Sequence, residues 1–411
     1  MKYRKRHLEK KIKELSAFYK VILVTGARQV GKSSLLSHLY PEYKHITFDP
    51  IQDIYGARKD PDLFLDNFPP PVILDEIQYA PQLLPAIKRR VDLSEQKGLY
   101  YLSGSQNLSI LRSVSESMAG RIGIVQLANM SLLELSDMGD SDENWLQKWL
   151  SDPQKFDSKI TLINNFDQPL AKFLWRGTFP ALLDAPDSII PEYFNSYTQT
   201  YVERDIRIIE NIRDLSQFGR FIRITAALTA QEINPTHIGR EIGVNPDTAK
   251  RWLNMLNYGY QWIELPPYSG NAIKRISKKR KGYYTDTGFV CYLQNILSPE
   301  ALLANPLWGA IFETFAINQI SKQLSRFTTS PQLYHWRTNG GAEVDIVIEI
   351  NGKLFPIEIK AKTNLSGHDV KGLRAFLNTY KDKSAPGLIY YAGKECYKVT
   401  NDVWAIPWLA E

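Results

Sequence analysis

Residues Gly26 to Ser33 read GARQVGKS, a G-x4-G-K-S loop set between the apolar run VILVT and the helix-forming run KSSLLSHLY. No other feature restricts the fold as much. The two glycines let the backbone turn tightly, so that successive N–H groups face one point. A helix starting where the loop ends aims its positive N-terminus at the same point. A buried strand, a tight loop and a helix in that order belong to an α/β layer with a parallel sheet. The expected occupant is a polyphosphate, ATP with Mg²⁺. Gly26, Ala27, Arg28, Gln29, Val30 and Gly31 would supply the cradle. Lys32 would reach the β- and γ-phosphates, Ser33 would hold Mg²⁺ through its hydroxyl, and Ser34 would be a further nucleotide-binding residue.

The neighbouring runs fit the same layer. KHITFDP, PPVILDE, GLYYLSGS and IGIVQLANM read as four more buried strands, alternating with helical stretches. VILDE ends in two acids. Asp75 is expected to hold Mg²⁺ through water, and Glu76 to polarise the attacking water as a general base. The pair favours hydrolysis over simple nucleotide holding. LSGSQN ends the fourth strand, where Ser105 or Gln106 could sense the γ-phosphate. Arg121 lies just before the fifth strand. It could reach the nucleotide of a neighbouring subunit and steady transition-state charge, or it could be a surface cap or salt bridge.

At 411 residues the chain is too long for one core, and two to four domains are expected. Apolar residues at 44% and charged residues at 23% describe a globular chain and exclude long disorder. A net charge of +6 hints at an anionic partner only if the charge is clustered. Cys291 and Cys396 are far apart without metal spacing, so neither a disulfide framework nor a zinc site is expected. MKYRKRHLEKKIKEL carries Leu8, Ile12 and Leu15 at helical spacing and no apolar signal core. No apolar run approaches the roughly twenty residues that span a bilayer. The expectation is a soluble, cytoplasmic protein.

The phosphate loop, ILDE, LSGSQ and AGRI…SLLEL together resemble a prokaryotic AAA-type ATPase, and more narrowly the family whose C-terminal half is a domain of unknown function. YVERDI at 201–206 and EVDIVIE…PIEIK match that family as well, so the resemblance covers nearly the whole chain. It implies an ATPase core, a helical lid, a winged helix and a nuclease-like terminal domain. The chemistry of YVERDI is not explained by its residues; alternating charge on a helix gives salt bridges at least. The boundaries read as 1–135 for the ATPase core, 136–215 for lid and connector, 216–300 for the winged helix and 301–411 for a restriction-endonuclease-like α/β domain. DMGDSDENWLQKWLSDPQKFDSK, polar and rich in aspartate, reads as an exposed connector or helical insertion.

THIGREIGVNPDTAKRWLNMLNYGY has helix-turn-helix patterning. Ile238 and Ile242 share a face, Gly243 allows the turn, Asn245 caps and Pro246 suits the first helical position. Thr248, Lys250 and Arg251 point outward on the second helix. KRISKKRK at 274–281 holds six basic residues in eight, and Lys278, Lys279 and Arg280 could track phosphates as a wing. The same module could serve protein contact, or the run could be only solvated.

The last hundred residues read helix, strand, strand, strand, helix, strand, the order of a restriction-endonuclease-like core. Glu313 on the helix, Asp345 in EVDIVIEI and Glu358 in PIEIKAK would be metal ligands, with Lys360 the nearby cation. The same acids would also suit a retained fold that does not cut. The whole chain reads as an Mg²⁺-dependent ATPase that works on nucleic acid or a bound partner, with possible homo-oligomers. An ATP-regulated nuclease, a nucleotide-switched DNA-binding module without cleavage, and a protein remodeller are the alternatives.

Overall fold

The computed structural model describes all residues except 1–2, 106–117, 142–143, 158–159, 164–165, 167, 203–214, 272, 274, 276–278, 328–330 and 411. Gln106, Lys278 and most of YVERDI therefore lie outside the described residues.

The N-terminal unit begins with α1 (Glu9–Ser16), which buries Ile12 as its spacing predicts. Strand β1 (Val21–Thr25) leads through the glycine loop into α2 (Lys32–Leu39). Then come β2 (Lys44–Thr47), α3 (Pro61–Asn67), β3 (Val72–Asp75), α4 (Leu83–Leu93), β4 (Tyr100–Gly104) and β5 (Ile122–Gln126). The five strands pair in parallel in the order β2-β3-β4-β1-β5. All five residues of β1 are buried because helices cover both faces. Val21 and Leu23 pack into one cluster with Phe64 and Leu83, while Ile22 and Val24 face Leu35 and Leu36 on the other side. β2 differs from its reading as a buried strand. It lies at the sheet edge and buries only Ile46, so Lys44 and Thr47 stay exposed.

A helical stretch follows: α5 (Leu132–Leu135), α6 (Trp145–Ser151), α7 (Leu170–Arg176) and α8 (Ile190–Tyr197). The aspartate-rich stretch around α6 is more than an exposed connector. Trp145 and Trp149 are fully buried, with ring centroids 5.9 Å from Tyr390 and 5.3 Å from Phe355 of the C-terminal unit. The next unit holds α9 (Leu215–Ala227), β6 (Gln231–Glu232), α10 (Pro235–Ile242), α11 (Pro246–Tyr258), β7 (Trp262–Leu265) and β8 (Lys281–Tyr284), with an antiparallel sheet ordered β6-β8-β7. Gly243 turns at φ 78° between α10 and α11, and the Asn245 side chain accepts Thr248 N–H to cap α11.

The C-terminal unit follows α12 (Thr287–Leu293) and α13 (Pro299–Leu303). It comprises α14 (Trp308–Leu324), β9 (Gln332–Arg337), β10 (Glu343–Ile350), β11 (Lys353–Lys360), α15 (Lys371–Thr379), β12 (Gly387–Tyr391), β13 (Tyr397–Thr400) and β14 (Val403–Pro407). Its mixed sheet runs β13-β14-β12-β11-β10-β9. Asn351 and Gly352 both take positive φ, 50° and 79°, as the two-residue hairpin between β10 and β11 requires. One hydrophobic cluster runs from β1 and α2 through α11 and α14 to β10 and β11. The units are thus packed together rather than strung on open linkers.

Candidate functional site

The glycine loop sits at the C-terminal end of β1. Gly26 has φ 142°, and a Cβ there would lie 2.1 Å from the Leu127 carbonyl oxygen, so only glycine fits. Gly31 turns at φ 93° to open α2, and Gln29 also has positive φ. Ala27 and Val30 are buried, Gln29 and Ser34 are exposed, and Arg28 reaches the Tyr79 hydroxyl at 3.4 Å. The Lys32 ammonium is buried and donates to the carbonyls of Gly26 (3.0 Å) and Ala27 (2.8 Å), folded back over the loop.

Beside the loop, β3 delivers Asp75. Its Oδ2 accepts the Ser33 hydroxyl at 2.7 Å, so the two residues expected to share a metal meet. Glu76 follows with φ 57°, a left-handed conformation that a residue with a Cβ holds only at a cost of about 1–3 kcal/mol, the kind of strain that collects at functional positions. Ser105 lies 3.4 Å from Glu76 Oε2, and Gln78 donates to the same oxygen. Ser103 was not singled out in the sequence. It donates to Asp75 Oδ1 and accepts Glu76 N–H at 3.3 Å, fixing both acids. The β-strand alternation that puts Ser103 and Ser105 on one face was the available signal. A hydroxyl and a carboxylate suit Mg²⁺, which binds through one or two carboxylates and completes its shell with phosphate and water. Lys32, Ser33, Asp75 and Glu76 therefore fit an ATP–Mg²⁺ complex.

Residues outside the motif hold the loop in place. Arg6 is buried, donating to the carbonyls of Val30 (2.8 Å) and Ala128 (2.6 Å), with Nε 3.0 Å from Glu134 Oε1. Glu134 belongs to the SLLEL stretch and closes a capping box with Ser131 at the start of α5. It also accepts His7 N–H at 2.8 Å. Burial alone would raise the Glu134 carboxyl. Arg6, His7 and the two backbone N–H groups outweigh burial and bring it down to about 2. From the helical stretch, the Tyr193 hydroxyl donates to Gln29 Oε1 at 2.6 Å. Just past the end of α11, buried Tyr260 brings its side chain up to Thr25 at the tip of β1.

Arg121 is placed elsewhere. Val21 N–H donates to its carbonyl, so it stands beside the N-terminal end of β1, opposite the loop, and its guanidinium pairs with Asp92. It does not serve the nucleotide site of its own chain.

On α11, Lys250 and Arg251 are exposed, and Lys279 and Arg280 are exposed just before β8. Two other residues of the basic run, Arg275 and Lys281, turn inward. Arg275 pairs with Glu349 at 2.8 Å and lies over the Tyr268 and Tyr334 rings. Lys281 is buried, its Nζ 3.1 Å from Glu313 Oε1 and 3.2 Å from Asp345 Oδ1. The sequence offered no signal for this, because one lysine in a basic run looks like the others.

Asp345, Glu358 and Lys360 come together, and Lys281 links Asp345 to Glu313. The β10–β11 register, with Ile346 opposite Ile357, puts Asp345 opposite Glu358, and Lys360 pairs with Glu358 at 2.6 Å. With Lys281 among them, a divalent cation does not fit between Glu313 and Asp345. Among the described residues no group of three or more His, Cys, Asp or Glu side chains is arranged to hold a metal ion.

Three known families match separate stretches of the chain. Residues 18–136 match an AAA domain family. Residues 167–300 and 308–410 match two domains of unknown function, DUF8612 and DUF4143. "Uncharacterized protein Rv2008c" of Mycobacterium tuberculosis and "Uncharacterized protein Mb2031c" of Mycobacterium bovis are each 28% identical over 391 residues, covering 94% of this chain and 80% of theirs. Among solved structures, the Walker-type ATPase PABY2304 of Pyrococcus abyssi superposes with TM-score 0.46 at 15% identity, covering 72% of this chain and 99% of that one. A STAND protein with a tetratricopeptide repeat sensor, PH0952 from Pyrococcus horikoshii, gives TM-score 0.24 at 12% identity, covering 76% and 47%. No helix among the described residues is long and apolar enough to cross a membrane.

Proposed function

Since the chain joins an AAA ATPase domain to a C-terminal domain of unknown function, we propose that it hydrolyses ATP with Mg²⁺ and passes the resulting change to the helix-turn-helix and C-terminal units. The observation that carries this reading is the 2.7 Å contact of Ser33 with Asp75 beneath the folded-back Lys32. ATP would draw the Lys32 ammonium from the loop carbonyls to its phosphates. Ser33 and Asp75 would hold Mg²⁺, which offsets phosphate charge. Glu76 would take the proton of the attacking water, and Ser105 would report the γ-phosphate. Tyr193 on Gln29 gives the loop a contact with the units that follow.

The output we assign is work on nucleic acid, with α11 as the second helix of a winged helix and Lys250, Arg251, Lys279 and Arg280 as phosphate contacts. All four are exposed on one unit. In a homo-oligomer, Arg121 would leave Asp92 and serve the neighbouring site. A second reading, an ATP-gated nuclease on a restriction-endonuclease-like fold, draws on Asp345 standing opposite Glu358 beside Lys360.

The test is ATP turnover with Mg²⁺, with and without DNA or RNA, in wild type, Lys32→Ala and Glu76→Gln. Lys32→Ala should abolish turnover. Glu76→Gln should still bind ATP while turning over at least about 100-fold more slowly. Turnover that survives Lys32→Ala would refute the reading. Nucleic-acid binding that is absent or insensitive to salt would remove the role given to the basic residues, and stimulation by a protein alone would favour remodelling.

A further inference from the structure

We propose that Gln78 is a further catalytic residue for ATP hydrolysis: its amide nitrogen holds the Glu76 carboxylate, and its amide oxygen accepts the second hydrogen of the attacking water. This rests on the reading of the chain as an ATP hydrolase and adds one group to that same site.

Strand β3 ends at Asp75, and the chain then makes a single turn over Ile77–Tyr79. Glu76 opens the turn, and Tyr79 N–H closes it on the Glu76 carbonyl at 3.0 Å. The turn is fixed on both flanks. Ile77 is buried in the cluster that holds Phe64 and Leu83, and the Tyr79 hydroxyl meets Arg28 of the phosphate loop at 3.4 Å. Gln78 lies between those two anchors. Its Nε2 donates to Glu76 Oε2 and stands 3.4 Å from the Ser105 hydroxyl, which is itself 3.4 Å from the same carboxylate oxygen. Glu76, Gln78 and Ser105 thus form one cluster just past the C-terminal ends of β3 and β4, which are neighbours in the sheet.

One atom of this cluster is left over. Gln78 Oε1 is buried and has no hydrogen-bond partner among the described residues. A buried oxygen without a partner is costly and calls for a reason. Flipping the amide gives no relief, because it would set that oxygen against the Glu76 carboxylate, which only accepts. The carboxylate therefore decides which way the amide faces. Oxygen and nitrogen share one carbon, so the group that grips Glu76 presents an acceptor beside it. Hydrolysis has a use for that acceptor. The attacking water forms a P–O bond to the γ-phosphorus while the bond to the bridging oxygen breaks, and that electron pair leaves on ADP. One water proton passes to Glu76; the other stays on the phosphate that forms. With a single acceptor the water can still rotate about that hydrogen bond. A second one, on the remaining hydrogen, turns its lone pair to phosphorus, the way a glutamine orients water in other phosphoryl transfers. Asp75 is not free for this, since its oxygens already take the hydroxyls of Ser33 and Ser103.

The experiment compares ATP turnover, ATP affinity by calorimetry and melting temperature in the full chain. The proteins are wild type, Gln78→Met, Glu76→Gln and Glu76→Gln/Gln78→Met, with Lys32→Ala as the control for hydrolysis itself. Methionine keeps the length of glutamine and removes both amide groups. In Gln78→Met, kcat should fall about 10- to 100-fold, the range of one hydrogen bond to a charged group. ATP affinity should stay within about threefold, because the loss falls on the transition state alone. In the Glu76→Gln background the same substitution should cost less than about threefold, since the two residues act on one water as a unit. Unchanged kcat in folded Gln78→Met, while Lys32→Ala abolishes turnover, would overturn the role of Gln78 and leave ATP hydrolysis standing. An equal loss in both backgrounds would overturn it too, as would a loss seen as weaker ATP binding, because a glutamine that only shapes the turn behaves that way. Turnover that survives Lys32→Ala overturns hydrolysis at this site and the role of Gln78 together. Should Gln78→Met not fold, Gln78→Ala makes the same comparison, and the collapse of both would mark the side chain as structural only.

Discussion

Glu134→Gln tests what holds the phosphate loop in place. The carboxylate is buried and held at about 2 against an ordinary 4.5. Because its folded value is depressed, its stabilisation is fully present above the unfolded value and is lost as pH falls through the folded one. A depression of that size amounts to roughly 3 kcal/mol at pH 7, falling to roughly 1 kcal/mol at pH 3 and to almost nothing at pH 2. Glutamine also turns one oxygen into an amide N–H₂. Oε1 accepts from His7 N–H and lies against Arg6 Nε, and Oε2 accepts Ser131 N–H at 2.7 Å, so either orientation sets donor against donor. That mismatch adds about 1–3 kcal/mol at every pH. Urea unfolding of wild type and variant at pH 7 and pH 3, reading the transition that includes the nucleotide unit, should show a destabilisation about 2 kcal/mol larger at pH 7. Equal destabilisation at the two pH values would refute the charge argument. A loss under about 1 kcal/mol at pH 7 would refute the buried pair altogether.

Two further outcomes follow from the loop. Gly26→Ala should abolish ATP binding by calorimetry, because its Cβ would stand 2.1 Å from the Leu127 carbonyl, in backbone that cannot step aside; nanomolar or micromolar binding in the folded variant would contradict the geometry. Tyr193→Phe removes one 2.6 Å hydrogen bond to Gln29, at an exposed position. It should leave melting nearly unchanged and shift ATP affinity by no more than about tenfold, in line with about 1 kcal/mol per hydrogen bond; a loss of turnover beyond 100-fold would mean Tyr193 does more than steady the loop.

Much of the nucleotide unit was legible because its chemistry is local. A glycine that must turn, a lysine and a hydroxyl at fixed spacing, and acids at a strand end are adjacent in sequence, and they meet in space as read. The helix-turn-helix was legible for the same reason: Gly243, Asn245 and Pro246 each have a conformational duty within a few residues. What escaped the reading depends on contacts between distant segments. Arg6 stands 24 residues from the carbonyl of Val30 and 122 from that of Ala128. Lys281 stands 64 residues from Asp345. Trp145 and Trp149 sit in a stretch whose average composition is that of an exposed connector. Their burial is decided by Tyr390 and Phe355, and nothing local announces it.

The two lysines that matter most are linked by one element. α14 is a 17-residue helix, about 25 Å long at 1.5 Å per residue. Near its start, Glu313 meets Lys281, and the Thr314 hydroxyl meets Thr229 of the helix-turn-helix unit at 2.8 Å. Toward its end, Gln319 accepts Leu132 N–H at 2.7 Å, and Lys322 donates to the Met130 carbonyl at 3.0 Å, both in the segment that leads from β5 to the SLLEL cap. That cap carries Glu134, which pairs with Arg6, which holds Val30 in the phosphate loop. A displacement at the loop therefore has a continuous run of contacts to act through, from Val30 by Arg6, Glu134 and α14 to the strand that carries Lys281. Contact alone does not make coupling. The discriminating measurement is ATP affinity by calorimetry in Lys281→Met, which removes the ion pair with Glu313 near the start of α14, alone and combined with Gln319→Ala. An affinity change in Lys281→Met that disappears when Gln319→Ala is also present would make α14 the connection between the two ends.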